Sequence, residues 1–153
     1  MKLKYTNFQK VFELIAIIVL LAIWIYLLQS WGSLPDKIPA HYNGAGVVDR
    51  WGNKSEILVM PIMSSVLYIL ITILSFFPSI WNVPVTITPE NREVVYINLK
   101  NMVILLKMEI IIAFAYITYS ETKAVPLGTL FSPIFLIIIT ITLVYYIMKV
   151  RKA

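Results

Sequence analysis

The chain has 153 residues, 59% of them hydrophobic and only 14% charged, with a mean hydropathy of +0.83. Soluble domains carry about a quarter of their residues as charged ones, so a water-soluble globular domain is excluded and an integral membrane protein is expected. The formal charge of +5 is not gathered into one basic patch, which argues against a nucleic-acid partner, and the absence of cysteine removes disulfides, thiolate metal sites and cysteine nucleophiles.

Four apolar runs long enough to span a bilayer are read at 11–30, 58–80, 101–120 and 129–148, with a polar loop at 31–57. The expected fold class is therefore an all-α integral membrane protein. It forms a single domain, 1–153, as a four-transmembrane-helix bundle with an ordered extracytoplasmic loop between helices one and two. Lysines ahead of the first run imitate a signal peptide, but the length of that run and the lack of a small-x-small cleavage site predict an uncleaved span.

The loop is dense in punctuation. Pro35 and Pro39 stiffen its entry, and Asn43-Gly44 is a tight-turn dipeptide. Trp31 and Trp51 at its edges are expected at headgroup level. A compact cap with a short hairpin is predicted, rather than a linker. Ser55-Glu56 reads as the helix cap into the second span, with Pro61 in its opening turns. After that span, Thr88-Pro89-Glu90-Asn91 is a helix-start pattern. A helix running unbroken from there to Ser120 would be about 48 Å long, against a hydrocarbon core of about 30 Å. Its first three turns, with Arg92, Glu93, Tyr96 and Lys100, should then lie at the inner interface. The short connection Glu121–Gly128 makes spans three and four antiparallel neighbours, and Pro133 is expected to kink the outer end of span four.

Four spans place both termini on one side of the membrane. That side carries Lys2, Lys4, Lys10, Arg92, Lys100, Lys149, Arg151 and Lys152, eight basic residues against the four of the other side, Lys37, Arg50, Lys54 and Lys123. The positive-inside rule then puts the termini in the cytoplasm and the 31–57 loop outside, in the plasma (inner) membrane of a bacterium.

Three ionisable residues fall inside spans: Glu13, Lys107 and Glu109. Lys107 and Glu109 lie about 200° apart on a helix and cannot pair with each other. Lys107 leans toward the cytoplasmic side, where it is expected to snorkel to headgroups or to meet Glu13, itself at the interface. Glu109 is read either as a structural hydrogen-bonded carboxyl or as a proton- or ligand-linked one, with Tyr145 and Tyr146 within reach of its depth.

In the loop, His41 stands with Asp36, Asn43 and Asp49, the only cluster with ligand or acid–base character. His41 and Asp49 are the candidates a metal would have, but zinc wants three or four strong ligands, so no metal and no cofactor is assigned. Ser33 and Ser55 flank the loop with nothing to orient them toward His41, so no catalytic residue is assigned. The bland reading is that His41, Asn43 and Asp49 satisfy backbone groups in a tight cap.

Leu34, Pro35, Ile38, Pro39, His41, Asn43, Gly46, Asp49, Trp51, Gly52 and Lys54 stand at spacings that resemble a known signature. It is that of a bacterial membrane domain of unknown function, roughly Leu-Pro-x-x-Ile-Pro-x-His-Phe-Asn-x-x-Gly-x-x-Asp-x-Trp-Gly-x-Lys. That domain also forms the N-terminal part of SdpI-type proteins, which confer immunity to a secreted toxin and take part in signalling. Tyr42 replaces the usual phenylalanine, and SdpI-type proteins continue into a further membrane domain. The resemblance implies the membrane location and the motif, and the leading reading beside it is a non-enzymatic membrane protein, an immunity-like or signalling accessory factor whose outer loop recognises a partner or stabilises an assembly. An extracellular peptide or protein, another membrane protein, or a second copy would be the partner, alongside the lipid bilayer. Two rivals stand beside it. One is a subunit of a small transporter with Glu109 as its intramembrane ionisable site. The other is a membrane metal-dependent hydrolase using His41 and Asp49.

Overall fold

The computed structural model describes residues 4–153; Lys2 of the basic count lies outside them. Among the described residues the elements run α1 (Asn7–Ser30), β1 (Lys37–Tyr42), β2 (Val48–Asn53), α2 (Val59–Ser75), α3 (Arg92–Lys123) and α4 (Phe131–Arg151). Thr6 opens α1 through a reciprocal capping box with Gln9. A short 3₁₀ turn, Lys54–Leu58, leads from β2 into α2. The helical bundle agrees with the expected class. The 31–57 loop carries the short hairpin expected there, β1 and β2 paired antiparallel, in an otherwise helical fold.

Helix α3 is the spine, packing against α1, α2 and α4, whereas α4 leans chiefly on α3. With its neighbour turns counted, each helix is long and apolar enough to cross a membrane: Asn7–Ser33, Lys54–Ser75, Arg92–Lys123 and Phe131–Arg151. Their outward faces are apolar. On α1, Leu14, Ile18, Leu21, Ile25 and Leu28 recur at helical spacing and are exposed, as are Ile134, Ile138, Ile141, Val144 and Met148 on α4. An apolar surface of this extent is unfavourable in water and natural in hydrocarbon. The protein is a multi-pass membrane protein.

Among the described residues the interior holds three apolar clusters. Leu27, Leu34, Ile38 and Ile57 join the top of α1 to the hairpin. Ala16, Leu20 and Ile111 join α1 to α3. Val95, Leu99 and Val150 close the opposite end, covered by Trp81, Val83, Val85 and Ile87 of the α2–α3 connection.

Three local expectations are corrected. The cap into the second span is Asn53, not Ser55: the Asn53 N–H donates to the Glu56 carboxylate at 2.9 Å. Helix α3 begins at Arg92, after Thr88 and Asn91 exchange side-chain-to-backbone bonds, and runs past Ser120 to Lys123. Its 32 residues still give about 48 Å. Pro133 lies in the first turn of α4, where its missing N–H forfeits no helical bond, so no kink is required there.

Candidate functional site

The hairpin is built and held by a chain of specific contacts. Asn43 turns the chain: its N–H donates to the Val47 carbonyl at 2.9 Å, while its side-chain oxygen accepts from the N–H groups of Ala45 and Val47 at 3.0 and 3.1 Å. The glycine that needs its freedom is Gly46, at φ +72°, rather than the Gly44 of the Asn-Gly pair. Gly46 also touches the α3–α4 connection. Its carbonyl accepts from the Leu127 N–H at 2.9 Å, and a β-carbon there would fall 2.5 Å from the Gly128 carbonyl oxygen. Tyr42 adds a third tie, its hydroxyl donating to the Val125 carbonyl at 3.2 Å. Burial first, then the Glu121 carboxyl and Tyr116, hold this hydroxyl above its ordinary pKa, so it stays a neutral donor.

At the other end of the hairpin Arg50 is the clamp. It donates to Glu56 at 2.8 Å and to the Ala40 carbonyl at 2.9 Å, tying β2 to both β1 and the start of α2. Gly52 makes room for this arrangement, since a β-carbon there would overlap the Glu56 carboxylate and the Ala40 side chain. Lys37 donates to the Asn53 side chain at 2.9 Å, the Lys54 N–H to the Asp36 carbonyl at 3.0 Å, and the Lys54 ammonium lies over the Trp31 ring.

The motif therefore divides into two sets. Leu34, Ile38, Pro39, Gly46 and Gly52 are buried, and Asn43 and Lys54 brace the loop from its surface. His41, Asp49 and Trp51 are exposed, as is Pro35. His41 Nδ1 and Asp49 Oδ1 are 2.6 Å apart, with the two side chains 61% and 42% exposed. Asp49 and Trp51 share one face of β2 by the two-residue period of a strand, and Trp51 is 55% exposed. Of the three residues read as backbone braces, Asn43 alone takes that role, while His41 and Asp49 bond each other.

Such a pair fixes the proton on Nδ1 and leaves Nε2 of a neutral imidazole as an acceptor. A base of this kind would need a nucleophile, and the Ser33 hydroxyl is instead bonded to the Ser30 carbonyl at 2.9 Å. Among the described residues no three His, Cys, Asp or Glu side chains stand together, and His41 with Asp49 supplies two of the three or four ligands a zinc site takes.

Inside the bundle the three ionisable residues separate. Lys107 does not snorkel: its side chain is 0% exposed, and its ammonium donates to both Glu13 oxygens at 2.7 Å and to Thr72 at 2.8 Å. It also lies over the Tyr68 ring at 4.4 Å. Lys100, expected at the interface, is buried with its ammonium 3.5 Å from the centre of the Tyr5 ring. Glu109 stands apart, on the side of α3 that meets α4. Its Oε1 accepts from the Thr142 hydroxyl at 2.6 Å, where Tyr145 and Tyr146 were the expected donors, and its Oε2 is buried with no hydrogen-bond partner among the described residues. Tyr26, Ser120 and Glu121 also each leave one buried oxygen without a partner among the described residues.

Glu109 lines a groove of about 810 Å³ between α3 and α4. Glu56 was read as part of the helix cap but not as the partner of Arg50, and Arg50, Thr72, Thr142 and Leu127–Gly128 were given no site role in the sequence. A capping-box spacing from Asn53 to Glu56 was the one signal that would have placed Glu56 against the hairpin.

No solved structure matches the chain. An uncharacterized protein of Archaeoglobus fulgidus is 30% identical over 76 residues, which is 44% of this chain and 42% of the archaeal protein. The chain thus spans less than half the length of that relative. Residues 17–64, which run from α1 through the hairpin into α2, match the family described as a domain of unknown function (DUF1648).

Proposed function

We propose that the protein is a non-enzymatic membrane protein that recognises an extracytoplasmic partner through the outer face of its hairpin, as an immunity-like or signalling accessory factor. The observation that carries this reading is the exposed group of His41, Asp49 and Trp51 on a hairpin whose other contacts hold it in place. A braced loop loses little conformational entropy on binding, and a tryptophan beside a polar pair is the composition that anchors interfaces. The positive-inside bias supports placing this face outside and the termini in the cytoplasm, in a bacterial plasma membrane.

The test is photo-crosslinking from positions 41 and 49 in intact cells, with Trp51→Ala as the control. The expected result is a discrete crosslinked product that Trp51→Ala diminishes severalfold while the protein level stays unchanged. Products confined to the chain itself would leave the hairpin a structural cap and end the proposal.

A further inference from the structure

We infer that the groove between α3 and α4 is a binding site for a lipophilic alcohol or phenol, whose hydroxyl donates to Glu109 while its apolar body lies along the groove. The groove is about 810 Å³, within the range of small-molecule sites, and its walls include Ile112, Tyr116, Phe131, Phe135 and Ile138. Three of these form an aromatic ladder, with ring centres 5.2 Å apart for Tyr116 and Phe131 and 6.3 Å apart for Phe131 and Phe135. Glu109 and Tyr116 are seven residues apart on one helix, so the site is about 10 Å long between its carboxyl and its aromatic end.

The carboxyl selects the occupant. Thr142 satisfies Oε1, but Oε2 has no donor among the described residues, and an unsatisfied polar atom in hydrocarbon is costly. Oε2 is covered as it stands, and because the last torsion of a glutamate is broad a partial turn of the carboxyl brings an oxygen to the groove that Glu109 lines. A neutral hydroxyl supplies the missing donor without the cost of carrying an ammonium to this depth. A plain acyl chain fills the groove and leaves the oxygen unpaired. The loop bounding the aromatic end, through Leu127 and Gly128, is the one on which Gly46 of the hairpin rests.

The test uses the whole chain in phosphatidylcholine nanodiscs. The probes are an alkylphenol with a diazirine in its tail and the methyl ether of the same molecule, which lacks the donor. At equal membrane mole fraction the phenol should label peptides around Ile112 and Ile138 roughly fivefold more than the ether, the order expected for one hydrogen bond. Glu109→Leu should bring that ratio to about one. Thr142→Val, which leaves the carboxyl in place and frees its other oxygen, should preserve or raise it. Because Thr142→Val and the wild-type comparison keep Glu109, they decide the matter even if Glu109→Leu fails to fold. Equal labelling by phenol and ether, or labelling spread along the outward face of α4, would show a groove filled by bulk lipid and overturn the proposal.

Discussion

Gly46 shows how one position fixes the hairpin against the bundle. It needs a left-handed backbone at φ +72°, and it needs an empty α-carbon because the Gly128 carbonyl occupies the space a side chain would fill. The left-handed backbone alone disfavours a residue with a β-carbon by about 1–2 kcal/mol, and the overlap with Gly128 adds to it. Gly46→Ala should therefore undock the hairpin tip, visible as faster hydrogen exchange at the amides of Val47 and Leu127. Gly44→Ala, at a residue with open space and no positive φ, should leave those amides unchanged. Equal exchange in the two variants would mean the docking is not what holds the tip. The Asn43-Gly44 pair marked the turn, which closes from the Gly46 N–H to the Asn43 carbonyl, while Gly46 entered only as a residue of the signature and not for its backbone. An Asn-Gly pair is the local signal for a tight turn, whereas the demand on Gly46 comes from a loop eighty residues away, which no local pattern carries. His41, Asp49 and Trp51 were legible as residues of interest, yet their separation from the buried motif residues emerges only once the hairpin register is known.

At the scale of elements, the Glu13–Lys107 pair joins α1 to α3, and Thr72 adds α2. Its constituents were legible: two ionisable residues in apolar runs, with lysine leaning toward the side where glutamate sits. Burial was not, because the donors and rings that make it tolerable, Thr72 and Tyr68, look like ordinary span residues in sequence. Breaking a buried pair strands a charge and typically costs about 3–5 kcal/mol, while replacing both members with apolar residues of similar size is often neutral. Lys107→Met and Glu13→Leu should each lower the melting temperature sharply in detergent, and the double variant should recover most of the loss. Additive losses would show that the two residues stabilise the bundle separately. The α2–α3 connection was also under-read. Trp81, Val83, Val85 and Ile87 alternate as a half-buried extended segment does, and they pack over Val95, Leu99 and Val150.

For the whole molecule, the four spans were the clearest message in the sequence, because length and hydropathy alone define them. Orientation rests on a subtler quantity, the distribution of lysine and arginine over the two ends. The structure weighs these charges unequally. Lys100 is withdrawn against Tyr5, while Lys149, Arg151 and Lys152 extend from the last turn of α4. The terminal cluster is the stronger determinant, since charges close to a span end set its topology. A chain without cysteine permits a direct measurement. Ala45→Cys in the exposed hairpin turn should react with a membrane-impermeant maleimide in intact cells. Lys152→Cys, beyond α4, should react only after permeabilisation. The reverse pattern would put His41, Asp49 and Trp51 in the cytoplasm and transfer the recognition face to a cytoplasmic partner. It would leave the α3–α4 groove and its Glu109 carboxyl where they are, because a site within the bilayer is reached from the lipid whichever way the bundle points.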